Sequence, residues 1–440
     1  MKVKLPTDKI SLTTATSIAV ANMIGTGVFT SLGFQLAGIR SGFALLFLWT
    51  LGGVFALCGA LVYGELGASL PRSGGEFNFL GRIYHPVLGF LAGWISFVMG
   101  FALPIALAAM AFGGYLHRVV PQASPLAASC LLVVLVALVH LRDLRLGSLV
   151  QNLSTAFKIG LILVFIGVTA FKVGDAPAIS FVPTAADLAA IFSKEFAVSL
   201  LFVMYAYSGW NASTYVIDEI DNPGRNVPLS LSFATAIVAL LYVGLNWAFL
   251  VAAPANEMQG QLEVGHVAAA HVFGDRGGQW MSSLLCIALI SSISAMTWAG
   301  PRVTQAIGQD YGFFRALART NDHGIPVIAI LVQTGLVLLL LLTSTFESLL
   351  VYTQFTLALC SAATVAGIFI LRRRGLPRPY STWLYPVTPL IFLTLSVVMV
   401  LFTLKSHPKE SLAGFATVIL GLPIYWLSPR RASPVPTPGE

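Results

Sequence analysis

An all-α membrane protein of twelve transmembrane helices is the fold this sequence predicts, and three observations carry it. Only 10% of the 440 residues are charged while 57% are hydrophobic. A soluble domain carries about 25% charged residues, so the chain lacks the polar surface that a water-facing fold needs. The apolar residues gather into long continuous runs, close to the ~20 residues that cross a bilayer as helix. Lysines and arginines fall in short connectors beside those runs and favour one side of the membrane. Soluble folds are thereby excluded, and the net charge of +7 reads as topology, not as a nucleic-acid footprint.

The runs lie at 13–37, 43–70, 87–116, 125–141, 147–171, 196–217, 228–253, 279–305, 325–345, 347–371, 385–404 and 411–427. Residues 1–12 are a short polar N-terminus with no cleavable signal pattern, so the first span is expected to stay with the protein. Helix is favoured over barrel strands because the runs are continuous, not ten-residue alternations, and because lipid offers backbone amides no partner. Connectors are short except 254–278 and 306–324. From Ser428 the chain turns Pro-rich and polar (SPRRASPVPTPGE), which predicts a disordered tail over 428–440. With the N-terminus in the cytoplasm, twelve spans return the C-terminus there, and 17 of the 25 Lys and Arg residues fall on the cytoplasmic side. The outer set is Arg40, Arg118, Lys172, Lys194, Arg276, Lys405 and Lys409. One residue, Lys158, fits neither side.

Cofactor chemistry finds no foothold. Cys58, Cys130, Cys286 and Cys360 sit singly in apolar runs, a pattern for packing, with neither a disulfide framework nor a metal pair. His266 and His271, five apart in the long outer connector, are poorly spaced for one helical metal site and are expected to be solvated. Asn152-Leu-Ser and Asn211-Ala-Ser fit a glycosylation pattern but fall inside spans. Arg372, Arg373 and Arg374 follow the tenth span, where topology accounts for them and anionic lipid contact is open.

Two spans are interrupted. Gly25-Thr26-Gly27 stands mid-way in the first, where glycine costs ~1 kcal/mol against alanine in a helix. Tyr205-Ala206-Tyr207-Ser208-Gly209 breaks the sixth. Interrupted helices at corresponding positions of two halves point to a transporter's central site, although small residues also serve close helix packing. Such breaks suit a zwitterion. Amides of Thr26 and Gly27 at a half-helix N-terminus attract a carboxylate, and carbonyls of Met23, Ile24, Tyr205 and Ala206 accept from an ammonium group. Lys158 lies about ten residues into the fifth span, or ~15 Å along the helix. A lysine at helix centre costs about 2.5–3.5 kcal/mol, so it calls for a partner unless it snorkels to the interface.

Several stretches carry a family resemblance. Met23-Ile-Gly-Thr-Gly-Val-Phe29 resembles the IGSGIF motif of the L-type amino acid transporter branch of the amino acid–polyamine–organocation superfamily, with Thr26 where serine is usual. Tyr63-Gly-Glu-Leu-Gly67, Pro71-Arg-Ser-Gly-Gly-Glu-Phe77, Tyr205 to Asn211, Asn222 to Pro228, Gly300-Pro-Arg302, Asp310-Tyr-Gly312 and His323 to Pro326 are similar to that branch in order. The resemblance covers about residues 13–370.

It implies a five-plus-five inverted repeat of the leucine-transporter type, with repeats 13–172 and 193–372, discontinuous first and sixth helices, and two appended helices within 385–427. It implies substrate contacts at Met23, Ile24, Gly25, Thr26, Gly27, Tyr205, Ala206 and Ser208, with Tyr205, where phenylalanine is more common, as the outer gate. Lys158 would take the place of a second sodium ion and tie the first break to the eighth span through Ser291, Ser292 or Ser294. Sodium-independent transport of amino acids across the cell membrane follows. Obligatory exchange comes first, because no carboxylate appears in the third span and Glu65 reads as an interfacial structural group; proton symport is the alternative. Ser208 adds bulk where the branch often has glycine, which favours small neutral L-amino acids (Ala, Ser, Gly, Cys, Thr). Animal members join a glycoprotein through a cysteine after the third span; residues 117–125 have none, so no disulfide-linked ancillary subunit is expected. Neither an enzyme nor a channel is indicated: there is no buried nucleophile–base pair, and no filter repeat or charged ring.

Overall fold

The computed structural model describes residues 9–142, 147–172, 179–322 and 324–428. Lys2, Lys4 and Arg145 of the basic side, most of the polar N-terminus and the Pro-rich tail after Ser428 lie outside them. Within the described residues the chain is helical, with no β-strand beyond one isolated bridge between Ile10 and Ile220.

The first run is two helices, α1 (Leu12–Met23) and α2 (Gly27–Gln35). The second is α3 (Gly42–Ser69), and a short α4 (Glu76–Ile83) follows it. The third run is α5 (Pro86–Ile95) and α6 (Ala102–Val119), joined by a π-turn over Ser96–Gly100. Next come α7 (Pro125–His140) and α8 (Gly147–Lys172). A short α9 (Ala185–Ile191) meets α10 (Lys194–Tyr207) at a bend, and a 3-10 segment, Ala212–Glu219, completes the sixth run. Then follow α11 (Pro223–Ala252), α12 (Ala255–Met258), α13 (Val264–Phe273) and α14 (Asp275–Asp310). The last four are α15 (Val327–Thr343), α16 (Phe346–Arg373), α17 (Val387–Ser406) and α18 (Pro408–Leu427).

Starts are written in the local sequence. Ser11, Ser41, Ser124 and Ser193 cap helices by accepting from an amide of the first turn, and Thr345 and Ser348 form a capping box on α16. Each satisfies a donor that would otherwise be orphaned at a helix end. Pro86, Pro125, Pro223 and Pro408 sit in the first turn, where their missing N–H costs nothing.

Among the described residues nine helices are long and apolar enough to cross a membrane, and ten if the bent α9–α10 pair counts as one. The predicted fourth and ninth spans are α7 and α15, of 16 and 17 residues. At 1.5 Å per residue they run about 24–26 Å, short of a ~30 Å hydrocarbon core. The long connector 254–278 is not a simple loop, since it folds into α12 and α13. There His266 donates to or accepts from Ser282 across 2.9 Å, and burial holds its imidazole pKa below the usual value. His271 meets Glu257 at 2.8 Å. The expectation of solvation is corrected for His266, which is half-buried on Ser282, whereas His271 is exposed as expected.

The broken helices pack into the middle of the bundle: α1 lies against α11, α10 against α2 and α3, and α3 runs along α11. Glu65 is fully buried and accepts two bonds from Arg372, at 2.8 and 2.6 Å, plus the Thr382 amide at 2.6 Å. Arg372 also stacks 3.6 Å above the Tyr385 ring. One of the three clustered arginines is thus half of a buried ion pair.

Candidate functional site

Both predicted interruptions are real breaks. The α1 hydrogen-bond ladder ends at Met23, Ile24 leaves helical geometry (φ −74°, ψ 79°), and the Gly25 amide turns back onto Met23 O at 2.7 Å. α2 restarts at Gly27 with Thr26 at its N-cap, and no side chain caps that end. On the other side α10 ends at Tyr207. Ser208 is extended (ψ 151°), and Gly209 takes φ +94°, a left-handed conformation that suits glycine.

The two breaks lie against each other. A Cβ added to Gly27 would stand 2.5 Å from Ala206 Cα, and one on Gly209 would stand 2.9 Å from Asn22 backbone. Only glycine permits this approach. Thr26 Oγ1 and Tyr205 Oη join across the breaks at 3.0 Å, both buried. The predicted acceptors are partly occupied. Met23 O accepts from Tyr242 Oη, Ile24 O from Lys158 Nζ at 3.1 Å, and Tyr205 O from the Ser208 amide and hydroxyl. Each carbonyl has two lone pairs; Met23 O, which also takes the Gly25 amide, and Tyr205 O have both engaged, Ile24 O keeps one, and none of the loop or cap bonds ends on Ala206.

A cavity of about 150 Å³ lies beside the breaks. Asn22, Thr26, Tyr205, Ala206 and Ser208 line it, with Gln354 and Ala358 of α16. It continues past the breaks to Glu76, Asn211 and Tyr215. In the other direction the packing is tight: Phe34 stacks on Phe202 and on Phe346 at 5.3 and 5.8 Å. Gly260 donates to Gly33 O at 2.8 Å, and Arg118 binds Gln261 and Glu263.

Lys158 is 3% exposed. Its ammonium group donates to Ile24 O and, at 2.6 Å, to Ser292 Oγ on α14. It thus bridges the first break to α14 with no carboxylate among its hydrogen-bond partners. Among the described residues Ser291 makes no hydrogen bond to it, and Ser294 instead bonds His140 Nε2 at 2.9 Å.

Glu76 was not singled out by sequence reasoning. It is 7% exposed. Its oxygens accept from Tyr63 Oη at 3.0 Å, Tyr215 Oη at 3.1 Å and Asn211 Nδ2. The same loop holds the 3-10 segment through Gly75 N to Thr214 O and reciprocal bonds between Ser73 and Asp218. Its only sequence signal was a carboxylate in Pro71–Phe77, a loop where charge is ordinary. Asn211 is half-buried with its amide engaged in this network, so its sequon is accidental. No group of metal-ligating side chains occurs among the described residues.

The amino acid permease model matches residues 10–423, nearly the whole chain. The chain belongs to the amino acid permease family. It is 27% identical to the serine/threonine exchanger SteT of Bacillus subtilis, over 97% of this chain and 98% of the relative. It is 28% identical to the rat large neutral amino acids transporter small subunit 2, over 95% of this chain and 80% of that one. With the human Asc-type amino acid transporter 1 it shares 26% identity, over 95% and 82%. The permease is a multi-pass membrane transporter, not an enzyme.

Proposed function

We propose that this permease is a sodium-independent exchanger of small neutral L-amino acids that works by alternating access. It would have twelve spans, two inverted five-helix repeats of the leucine-transporter type, two appended helices and cytoplasmic termini. The observation that carries the reading is Lys158. Its ammonium group occupies the gap between Ile24 O and Ser292 Oγ, where a coupling cation would need to bind, so transport runs without sodium. Alanine, serine, glycine, cysteine and threonine fit a cavity narrowed by Ser208. The serine/threonine exchanger among its relatives supports a small-substrate class.

In this reading the substrate carboxylate sits on the amides of Thr26 and Gly27, at the positive end of the α2 dipole. Its ammonium group uses the lone pairs left on Ile24 O and Ala206 O, and reaches Met23 O and Tyr205 O only if Gly25, Tyr242 or Ser208 gives up a bond there. Tyr205, fixed to Thr26, closes the outer side, and the cavity reaching Glu76 opens to the cytoplasm. Without a cysteine in residues 117–125, the chain needs no disulfide-linked subunit.

Proton symport is the second reading, and Glu76 favours it: a carboxylate in the cavity wall with no lysine or arginine among its hydrogen-bond partners. Vesicles with and without internal amino acid separate the two. Exchange requires internal substrate, whereas concentrative uptake into empty vesicles under an inward proton gradient establishes symport.

A further inference from the structure

Gln354 stands out among the cavity residues. It is 6% exposed, borders the cavity from α16, and its Oε1 is buried with no hydrogen-bond partner. Other described side-chain atoms share that state, but none of their residues lines the cavity. Buried polar atoms are nearly always paired, and an orphan calls for an explanation.

Its depth follows from helix geometry. Phe34 lies eight residues beyond Thr26 along α2, and its ring stacks on Phe346 at the start of α16. Gln354 lies eight residues beyond Phe346 along α16. Each stretch rises roughly 12 Å, and the two helices run in opposite senses from the shared stack, so Gln354 returns to the depth of Thr26. Leu357, Ala358 and Ser361, three, four and seven residues on, also line the cavity, so this face of α16 is one wall of it. The broken helices hold the carboxylate and ammonium groups, and the substrate's side chain is left to face that wall.

We propose that Gln354 reads the substrate side chain: its Oε1 accepts a hydrogen bond from a side-chain hydroxyl, so the site favours small hydroxyl-bearing amino acids over apolar ones of equal size. This rests on the amino acid transport reading above. Threonine and valine, matched in shape, are the probes. A site built to bond a substrate hydroxyl rejects the analogue lacking it, because the acceptor is left unpaired.

The test is competition by threonine and by valine for labelled substrate in proteoliposomes, for wild type and for Gln354→Met, which keeps length but removes the acceptor. Thermal stabilisation of the detergent-solubilised protein by each amino acid gives a binding readout. Wild type should prefer threonine, and Gln354→Met should lower the threonine-to-valine ratio by about 2- to 10-fold, the factor for one neutral hydrogen bond. A wild type indifferent between the two overturns the proposal even if the variant does not fold, and so does an unchanged ratio in a folded variant. A wild type that neither transports nor is stabilised by any amino acid refutes the transport reading itself, and this proposal with it.

Discussion

Replacing Lys158 with alanine separates folding from transport. The substitution removes two charge-assisted bonds, to Ile24 O and Ser292 Oγ, each worth about 1.5–3 kcal/mol. It also removes the insertion cost of a lysine at helix centre, about 2.5–3.5 kcal/mol. The second offsets much of the first, so the protein should lose no more than about 3.5 kcal/mol and remain a monodisperse, folded species on size exclusion. Transport has no such compensation, since the bond to Ile24 is the side-chain link from α8 to the first break. If only half of one bond stabilises the substrate-closed state, about 0.8–1.5 kcal/mol, exchange falls roughly 4- to 12-fold. Counterflow of labelled alanine or serine into loaded proteoliposomes should therefore drop at least ~4-fold. A folded Lys158→Ala protein exchanging at the wild-type rate would refute the coupling argument, and so would wild-type uptake that requires external sodium.

Other substitutions test the supporting structure. Arg372→Met leaves the fully buried Glu65 carboxylate unpaired and should cost about 3–5 kcal/mol, read as lost folded yield in detergent; Glu65→Gln with Arg372→Met should recover much of it. Gly27→Ala drives a methyl group into Ala206 and forces the breaks apart at about 1–3 kcal/mol. Uptake should collapse while expression persists; normal uptake would show that the breaks do not need their close approach. Glu76→Ala takes the acceptor from the Tyr63 and Tyr215 hydroxyls and leaves the Asn211 amide only Tyr215 Oη, so the 71–76 loop should release the 3-10 segment. Faster amide hydrogen exchange across residues 211–219 is the expected signature, and unchanged protection there would contradict the latch.

Some of this site was legible in the sequence, for physical reasons. Gly25 and Gly27 announce a break because two glycines in three residues weaken a helix that lipid otherwise enforces. Lys158 stood out because charges are scarce and it alone fitted no connector. Its partner could not be chosen from Ser291, Ser292 and Ser294, because helical phase decides: Ser294 is about 200° round from Ser292 and meets His140. Glu76 and Gln354 were invisible for opposite reasons. A glutamate in a loop is ordinary until the loop folds over a cavity, and a glutamine in a span is ordinary until its oxygen is seen without a donor. The Glu65–Arg372 pair joins residues 307 positions apart, a contact that no local pattern encodes.

Exchange itself is the most direct test. Purified protein in sodium-free proteoliposomes, loaded with unlabelled alanine or serine, should take up the labelled amino acid saturably, and empty vesicles should not. Equal uptake into empty vesicles, strict dependence on a sodium gradient, or no saturable uptake of any amino acid would contradict the account.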